Sequence, residues 1–178
     1  MNKLWMSNKK HIVVTGPEST GKSTLSQILA KEYNGLLVEE FARKYLSENS
    51  GQYKRSDLLK IAYGQFQSQL AAINNQDFNV VISDTCLLTI RIWDEWKYGL
   101  SEPFIEEWIG LQEVDLYLLC SPDLGWESDD LRESENDLDE LFEIYLENII
   151  KTGIPYSIVE GVGQERNQEA INIVGAFL

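Results

Sequence analysis

The sequence has 178 residues, 43% of them hydrophobic and 25% charged, which fits one globular domain with a core of its own. Its net charge is −14, and the stretch 127–147, with ten acids against Arg132, contributes −9 of it. The sequence has no basic cluster of the kind that binds nucleic acid, and no apolar run of the roughly 20 residues that span a bilayer. It also shows no signal peptide. We therefore expect a cytoplasmic protein that binds neither nucleic acid nor membrane.

Short apolar runs alternate with longer helical patterns along the chain, which predicts a parallel α/β sheet covered by helices on both faces. Helices are predicted from Lys22, over 56–74, along a stripe from Leu138 to Ile149, and after Gln164. The predicted strands are 11–15, 35–39, 79–83, 115–120 and 156–159. In such sheets ligands bind at the carboxyl ends of the strands, so the loops that follow the strands are the candidate site.

The histidine and the two cysteines of this sequence do not form a recognisable metal-binding or redox motif. His11 opens the first strand, and it is the single histidine of the chain. Cys86 and Cys120 stand beside apolar runs and form no CxxC pair. We therefore interpret the two cysteines as small core residues and expect a structural or solvated role for His11.

The first predicted strand runs into a glycine-rich loop. Residues 16–23 read G-P-E-S-T-G-K-S, a complete match to the phosphate-binding pattern G-x-x-x-x-G-K-[ST], with a strand before it and a helix after it. Glycines let successive backbone N–H groups point at phosphate oxygens at the start of the helix. This predicts a three-layer P-loop NTPase fold with a five-stranded parallel sheet and a site for ATP. The predicted nucleotide-binding residues are Gly16, Pro17, Glu18, Ser19, Thr20, Gly21, Lys22, Ser23 and Thr24.

Two members of this loop and two acids from later strand ends suggest the phosphoryl-transfer chemistry. Lys22 would reach the β- and γ-phosphates as a catalytic residue, and the Ser23 hydroxyl would be a ligand of Mg²⁺. The run V-V-I-S-D ends in Asp84, the form expected of the second Mg²⁺ ligand, although an acid there could instead cap the next helix. After the second strand, Glu40 could accept the proton of a substrate hydroxyl.

Arg43 follows Glu40 in the run E-E-F-A-R and is a candidate substrate-binding residue. The alternative is a surface ion pair with Glu39, four residues earlier on the same helix face. The sequence does not decide whether Glu40 or Asp84 acts as the base.

Aromatic and hydroxyl side chains in the later loops could form a pocket for a flat ring. The alternative for each tryptophan is a place in the core. The candidates are Thr85, Thr89, Trp93, Trp96 and Trp126.

The acidic stretch contains one further candidate. Arg132 could close over the phosphates from a mobile lid, over about residues 123–137, and stabilise the charge of the transferred group. The alternative is an ion pair with its acidic neighbours. For the rest of the acidic stretch we expect a solvated helix face.

Several motifs in one order resemble a known family. They read G-P-E-S-T-G-K-S-T-L, E-E-F-A-R-K-Y-L, D-T-x-x-x-T-x-x-W, D-L-Y-L-L-C-S-P-D-L-G-W-E-S-D-D-L-R and a G-x-x-x-E-R-like ending from Gly161 to Arg166. From about His11 to the C-terminus the chain resembles the ribosylnicotinamide kinase domain of the NadR-type NAD-salvage proteins. Residues 1–178 are thus expected to form one kinase domain, with residues 1–10 as an extension.

The resemblance implies ATP-dependent phosphorylation of the 5′-hydroxyl of nicotinamide riboside. It implies that Glu40 and Arg43 face this substrate, that Trp93 and Trp126 flank the nicotinamide, and that Arg132 belongs to a lid. Relatives often carry a nucleotidyltransferase domain and a DNA-binding segment before the kinase, and with ten residues before it here we expect neither activity. The rival interpretations are a kinase for another nucleoside, nucleotide or small metabolite, and a nucleotide-dependent regulatory ATPase.

Overall fold

The computed structural model describes residues 9–124 and 137–178. The strands in these ranges are β1 (Lys10–Thr15), β2 (Leu36–Val38), β3 (Val80–Asp84), β4 (Leu116–Cys120) and β5 (Tyr156–Val159). The helices are α1 (Lys22–Glu32), α2 (Phe41–Glu48), α3 (Arg55–Asn74), α4 (Leu87–Tyr98), α5 (Pro103–Leu111), α6 (Leu138–Thr152) and α7 (Gly163–Phe177). The five strands form one parallel sheet in the order β2-β3-β1-β4-β5.

Strand β1 lies at the centre of the sheet, with β3 and β2 on one side of it and β4 and β5 on the other. Val14 pairs with Asp84 of β3, and Thr15 pairs with Leu119 of β4, so the carboxyl ends of three strands lie side by side. The strand order reverses here, which is where open α/β sheets bind their ligands. The register therefore brings Asp84 beside the loop that follows Thr15.

Successive residues of the strands pack against different helices. Val14 and Leu118 contribute to a core with α1 and α7, whereas Val13 and Leu119 contribute to one with α4 and α6. A third cluster fills the space between α2, α3, α4 and α5 and the edge of the sheet at β2 and β3. The predicted three-layer α/β fold with a five-stranded parallel sheet is confirmed.

The element boundaries differ from the predictions at several points, and β1 to β4 are each offset by one residue at one or both ends. Helix α3 begins at Arg55 rather than at residue 56, because Asp57 acts from the third helical position and accepts the N–H of Lys54 at 2.9 Å. Helix α5, which starts with Pro103 in the first turn, was not predicted. Strand β2 ends at Val38 and α2 begins at Phe41, so Glu39 lies outside the helix. The predicted helix face shared by Glu39 and Arg43 is therefore wrong.

His11 is a structural residue at the base of the sheet. Its ring is 1% exposed, with Nδ1 2.7 Å from the Glu113 carbonyl and Nε2 2.8 Å from the Ser83 hydroxyl. Burial lowers its pKa to about 4, so at neutral pH the ring donates from Nδ1 and accepts at Nε2. Cys86 and Cys120 are both buried, as predicted.

The described part of the acidic stretch lies on α6. Asp139, Glu140, Glu143 and Glu147 are exposed there, while Tyr145 and other apolar side chains of the helix are buried. This confirms a solvated helix face for that part of the stretch. Within 9–124 and 137–178, no helix combines the length and apolar character needed to cross a membrane.

Candidate active site

A cavity of about 620 Å³ opens at the carboxyl ends of the strands. Its walls come from the loop after β1 on one side and from α2, α4 and α6 on the other. All nine predicted nucleotide-binding residues, 16–24, line it. The predicted acceptor residues that also line it are Glu40, Arg43, Thr89, Trp93 and Trp96.

The loop after β1, residues 16–23, is shaped by two glycines. Gly16 has a φ of +133°, and a Cβ on it would lie 2.7 Å from the Cys120 carbonyl oxygen. Gly21 has a φ of +72°, and a Cβ on it would lie 2.8 Å from Leu124. At Gly16 the Cys120 backbone leaves no room for a Cβ, so only glycine fits there and the loop passes directly over the end of β4. The left-handed backbone at Gly21 favours glycine where the loop enters α1.

Side-chain hydrogen bonds close the loop on itself. The Thr20 hydroxyl donates to the Pro17 carbonyl at 2.8 Å, and the Lys22 ammonium donates to the same oxygen at 2.5 Å. Lys22 is the first residue of α1, whose first N–H groups and dipole favour an anion. The loop combines a cation and backbone donors around one concave surface, which is a phosphate-binding arrangement.

Asp84 lies behind the loop rather than in the cavity wall. It is 4% exposed, its carboxylate accepts a hydrogen bond from Ser23, and burial raises its pKa against the opposing effects of Ser23, Lys22 and Arg43. Its Oδ1 has no hydrogen-bond partner within the described ranges, although it is buried. A hydroxyl oxygen beside a buried carboxylate oxygen with unused lone pairs fits a hard cation such as Mg²⁺.

Glu40 is the carboxylate that lines the cavity. Burial raises the pKa of Glu40, the positive charges of Lys22 and Arg43 lower it, and Asp84 raises it further. The Arg43 Nε lies 4.0 Å from Glu40 Oε2, so this arginine pairs with Glu40 and not with Glu39 as the alternative had it. A carboxylate whose pKa is raised is a better proton acceptor near neutral pH.

A second part of the cavity wall carries aromatic and hydroxyl side chains from α4 and α6, beside aliphatic ones. Trp93 is half-buried and donates from Nε1 to the Tyr53 hydroxyl at 2.9 Å. Thr89 hydrogen-bonds to the Thr15 hydroxyl at 3.0 Å and to the hydroxyl of Tyr145. These contacts fix the side chains before any ligand binds, so this wall is a preformed surface for a flat polar molecule.

One predicted pocket residue lies away from this wall, and two further predicted site residues fall outside the described ranges. Thr85 is 2% exposed and does not line the cavity, because its backbone turns inward at a φ of +67° and hydrogen-bonds to Val14 and Gln69. Trp126 and Arg132 lie outside the described residues, as does most of the candidate lid.

Sequence reasoning missed Arg166, which contacts three loops of the site. It is 4% exposed and donates to the carbonyls of Thr20 at 2.8 Å, Gly161 at 3.0 Å and Ser121 at 3.4 Å. The phosphate loop is thereby tied to the loops after β4 and β5. The available signal was the G-x-x-x-E-R-like ending that closes at Arg166, near the start of the helix that follows β5. Tyr145, which falls within the predicted helical stripe from Leu138 to Ile149, also lines the cavity.

Comparison with known proteins agrees with this geometry. Residues 11–166 match the family described as AAA domain. The chain belongs to this family. It is 29% identical over 157 residues to the trifunctional NAD biosynthesis/regulator protein NadR of Escherichia coli (strain K12). That alignment covers 84% of this chain and 38% of NadR, so the chain spans well under half of that relative's length.

Solved structures show the same fold. Crystal structures of NadR in complex with NAD and AMP-PNP, and in complex with NR, each superimpose with a TM-score of 0.81, at 24% and 23% identity. They cover 95% of this chain and about half of the NadR chain. Deoxyadenosine kinase from M. mycoides with bound dATP matches over 93% of this chain and 99% of its own, with a TM-score of 0.58. The fold is that of ATP-dependent P-loop kinases, and the family resemblance read from the motifs is confirmed.

Proposed function

We propose that the chain is an ATP-dependent kinase that phosphorylates a nucleoside hydroxyl, with nicotinamide riboside as the acceptor that fits best. The observation that carries this proposal is one cavity with a phosphate loop on one side and a carboxylate, Glu40, beside an aromatic wall on the other. Phosphoryl transfer needs a donor and an acceptor held together in line, and this cavity has a surface for each.

The donor half holds the triphosphate. Lys22 and the backbone N–H groups of residues 18–24 neutralise charge as it moves toward the leaving group. Ser23 and Asp84 would hold Mg²⁺, which would supply positive charge to the bound phosphates. The bond between Arg166 and the Thr20 carbonyl keeps the loop in this shape.

On the acceptor side we assign Glu40 as the base. Glu40 lines the cavity, whereas Asp84 is buried and accepts a hydrogen bond from the Ser23 hydroxyl. Glu40 therefore orients the acceptor hydroxyl and takes its proton as the oxygen bonds to the γ-phosphorus, while the bond from that phosphorus to the β-phosphate oxygen breaks and ADP leaves. Arg43, paired with Glu40, would contact the transferred phosphoryl or the ribose.

Nicotinamide riboside carries a positively charged, flat ring. The face of Trp93 or Trp96 attracts such a ring electrostatically, and the acidic chain as a whole favours a cation over an anion. A crystal structure of NadR in complex with NR adds support. Thr89 provides a hydroxyl for a polar substituent.

Two other functions have support of their own. The match to deoxyadenosine kinase favours a different nucleoside acceptor, and the family match alone would fit a regulatory ATPase.

We also propose, from the sequence, that residues 123–137 form a lid in which Arg132 approaches the phosphates and Trp126 the acceptor. Cytoplasmic location and the absence of nucleic-acid binding stay predictions.

ADP release in the presence of Mg²⁺ and ATP separates these functions. We expect slow release without acceptor and a stimulation of at least about a hundredfold by nicotinamide riboside, exceeding that by adenosine, deoxyadenosine, cytidine or uridine. Stronger stimulation by another nucleoside would replace the acceptor and keep the kinase. Release unaffected by every acceptor would contradict the kinase and favour the regulatory ATPase.

A further inference from the structure

Helix α3 carries two buried amide side chains one turn apart. Gln65 is 1% exposed and Gln69 is fully buried, and residues four apart in a helix share a face. A buried amide destabilises a fold unless its hydrogen bonds are made, so an apolar residue would be the ordinary choice at both positions. Neither glutamine lines the cavity.

Gln65 holds the beginning of α2. Its Oε1 accepts the N–H of Phe41 at 2.8 Å. Phe41 is the first residue of α2 and directly follows Glu40, which does not cap the helix with its own side chain. A first-turn N–H has no partner inside its helix, and here the partner comes from a second helix. The residue next to the proposed base is thus fixed to α3.

Gly64 provides a second contact at the same place. A Cβ on Gly64 would lie 2.3 Å from the ring of Phe41, so the ring packs directly onto the backbone of α3. Glycine inside a helix is unfavourable, and this close approach gives the reason for it. The start of α2 is held by a backbone hydrogen bond and by a fitted ring.

Gln69 holds the loop after β3. Its Nε2 donates to the Thr85 carbonyl at 3.2 Å, and its Oε1 accepts from Gln112 at the end of α5. Thr85 directly follows Asp84 and has a φ of +67°, which a β-branched residue adopts only when its surroundings enforce it. The residue next to the proposed Mg²⁺ ligand is thus fixed to the same helix face.

We propose that Gln65 and Gln69 are positioning residues that set the places of Glu40 and Asp84 relative to each other. The inference rests on the proposed function. One rigid helix spans both contacts, so the base and the metal-binding acid are held on a common frame although 44 residues separate them in sequence. Rate losses are steep when reacting groups are misplaced by about 1 Å, which is the scale such hydrogen bonds control.

Isosteric methionine variants test this proposal against a purely structural role. Gln65→Met removes the acceptor for Phe41 but also removes a buried Nε2 that has no partner within the described ranges, so we expect little change in melting temperature. We expect kcat to fall at least about tenfold in Gln65→Met and Gln69→Met. Gln67→Met, at an exposed position of the same helix, is the matched control and should change neither quantity. Unchanged kcat in both buried variants would overturn the proposal.

Double-mutant cycles show whether each glutamine acts through its acid. Gln65→Met should lower kcat by a much smaller factor in a Glu40→Gln background than in the wild-type protein. Gln69→Met should likewise lower kcat by a much smaller factor in an Asp84→Asn background. The crossed pairs, Gln65→Met with Asp84→Asn and Gln69→Met with Glu40→Gln, should be closer to additive. Full additivity in the matched pairs would refute positioning and leave a general loss of packing.

Two measurements without turnover separate this inference from the proposed function. If the wild-type protein phosphorylates no acceptor, the proposed function fails, but Mg²⁺-dependent tightening of AMP-PNP binding still reports on Asp84. That tightening should be reduced in Gln69→Met and kept in Gln67→Met. Amide exchange at Phe41 should be accelerated in Gln65→Met alone. Equal tightening and equal exchange in all variants would overturn the inference.

Discussion

The two halves of the cavity are built from different kinds of groups. The phosphate half is one continuous segment, residues 16–24, that works mainly through backbone N–H groups and two glycines. The acceptor half collects side chains that are distant in sequence, such as Glu40 directly before α2, Trp93 of α4 and Tyr145 of α6. A site made of backbone groups can be recognised from particular residues at particular spacings in the sequence. A site made of distant side chains can be recognised only once the fold has brought them together. The phosphate half therefore defines the reaction class, and the acceptor half the substrate.

The largest expected effect belongs to the phosphate half. Lys22→Ala should lower kcat by about a thousandfold or more, because no other described cation lies inside the loop to neutralise the transferred phosphoryl. Circular dichroism and melting temperature should stay close to wild type. Lys31→Ala, at an exposed position in the last turn of the same helix, is the control. Near-normal turnover in Lys22→Ala would contradict its role.

Glu40→Gln tests the boundary between the halves. We expect a loss of about a hundredfold or more in kcat, with the KM for ATP nearly unchanged. A base works only when deprotonated, so wild-type turnover should be present above the raised pKa of Glu40 and lost as the pH falls through it. The variant should lack this acidic limb. Glu39→Gln, the exposed neighbour, should keep both the rate and the limb.

Trp93→Leu tests the acceptor half alone. We expect the KM for nicotinamide riboside to rise about tenfold through loss of the aromatic face, while the KM for ATP stays within twofold. Trp108→Leu is the control, since Trp108 stacks on Phe66 and lies outside the cavity wall. A parallel rise in both KM values in Trp93→Leu would show that the halves are not separable.

His11 should influence the free energy of unfolding of the protein, and it should affect the phosphate half and the acceptor half of the cavity equally. Its pKa is about 4 in the folded protein, below the ordinary 6.5, so the unfolded chain binds the extra proton first. Its contribution is fully present above about pH 6.5 and is lost, by about 3 kcal/mol, as the pH falls toward 4. His11→Gln should flatten this part of the unfolding free energy measured against pH. An unchanged pH dependence would contradict the buried neutral ring.

Periodicity and one glycine pattern were enough to predict the sheet, the phosphate loop and the acid that ends β3. Thr85 could not be placed in this way, because its turn into the core depends on contacts with Val14 and Gln69 across the fold. Arg166 and Tyr145 were missed for a related reason. The motif that ends at Arg166 and the helical stripe that contains Tyr145 are visible in the sequence, but they do not show where α7 and α6 pack against the phosphate loop and the cavity. Side chains whose role depends on topology need the structure.

A crystal of the protein grown with AMP-PNP, Mg²⁺ and nicotinamide riboside measures most directly whether the two halves act on one reaction. The triphosphate should lie on the N–H groups of residues 18–24 with Mg²⁺ on the Ser23 hydroxyl and near Asp84. The 5′-hydroxyl of the riboside should point at the γ-phosphorus within hydrogen-bond distance of Glu40. A triphosphate bound elsewhere, or a riboside outside the wall formed by Trp93 and Thr89, would contradict a kinase built in this way.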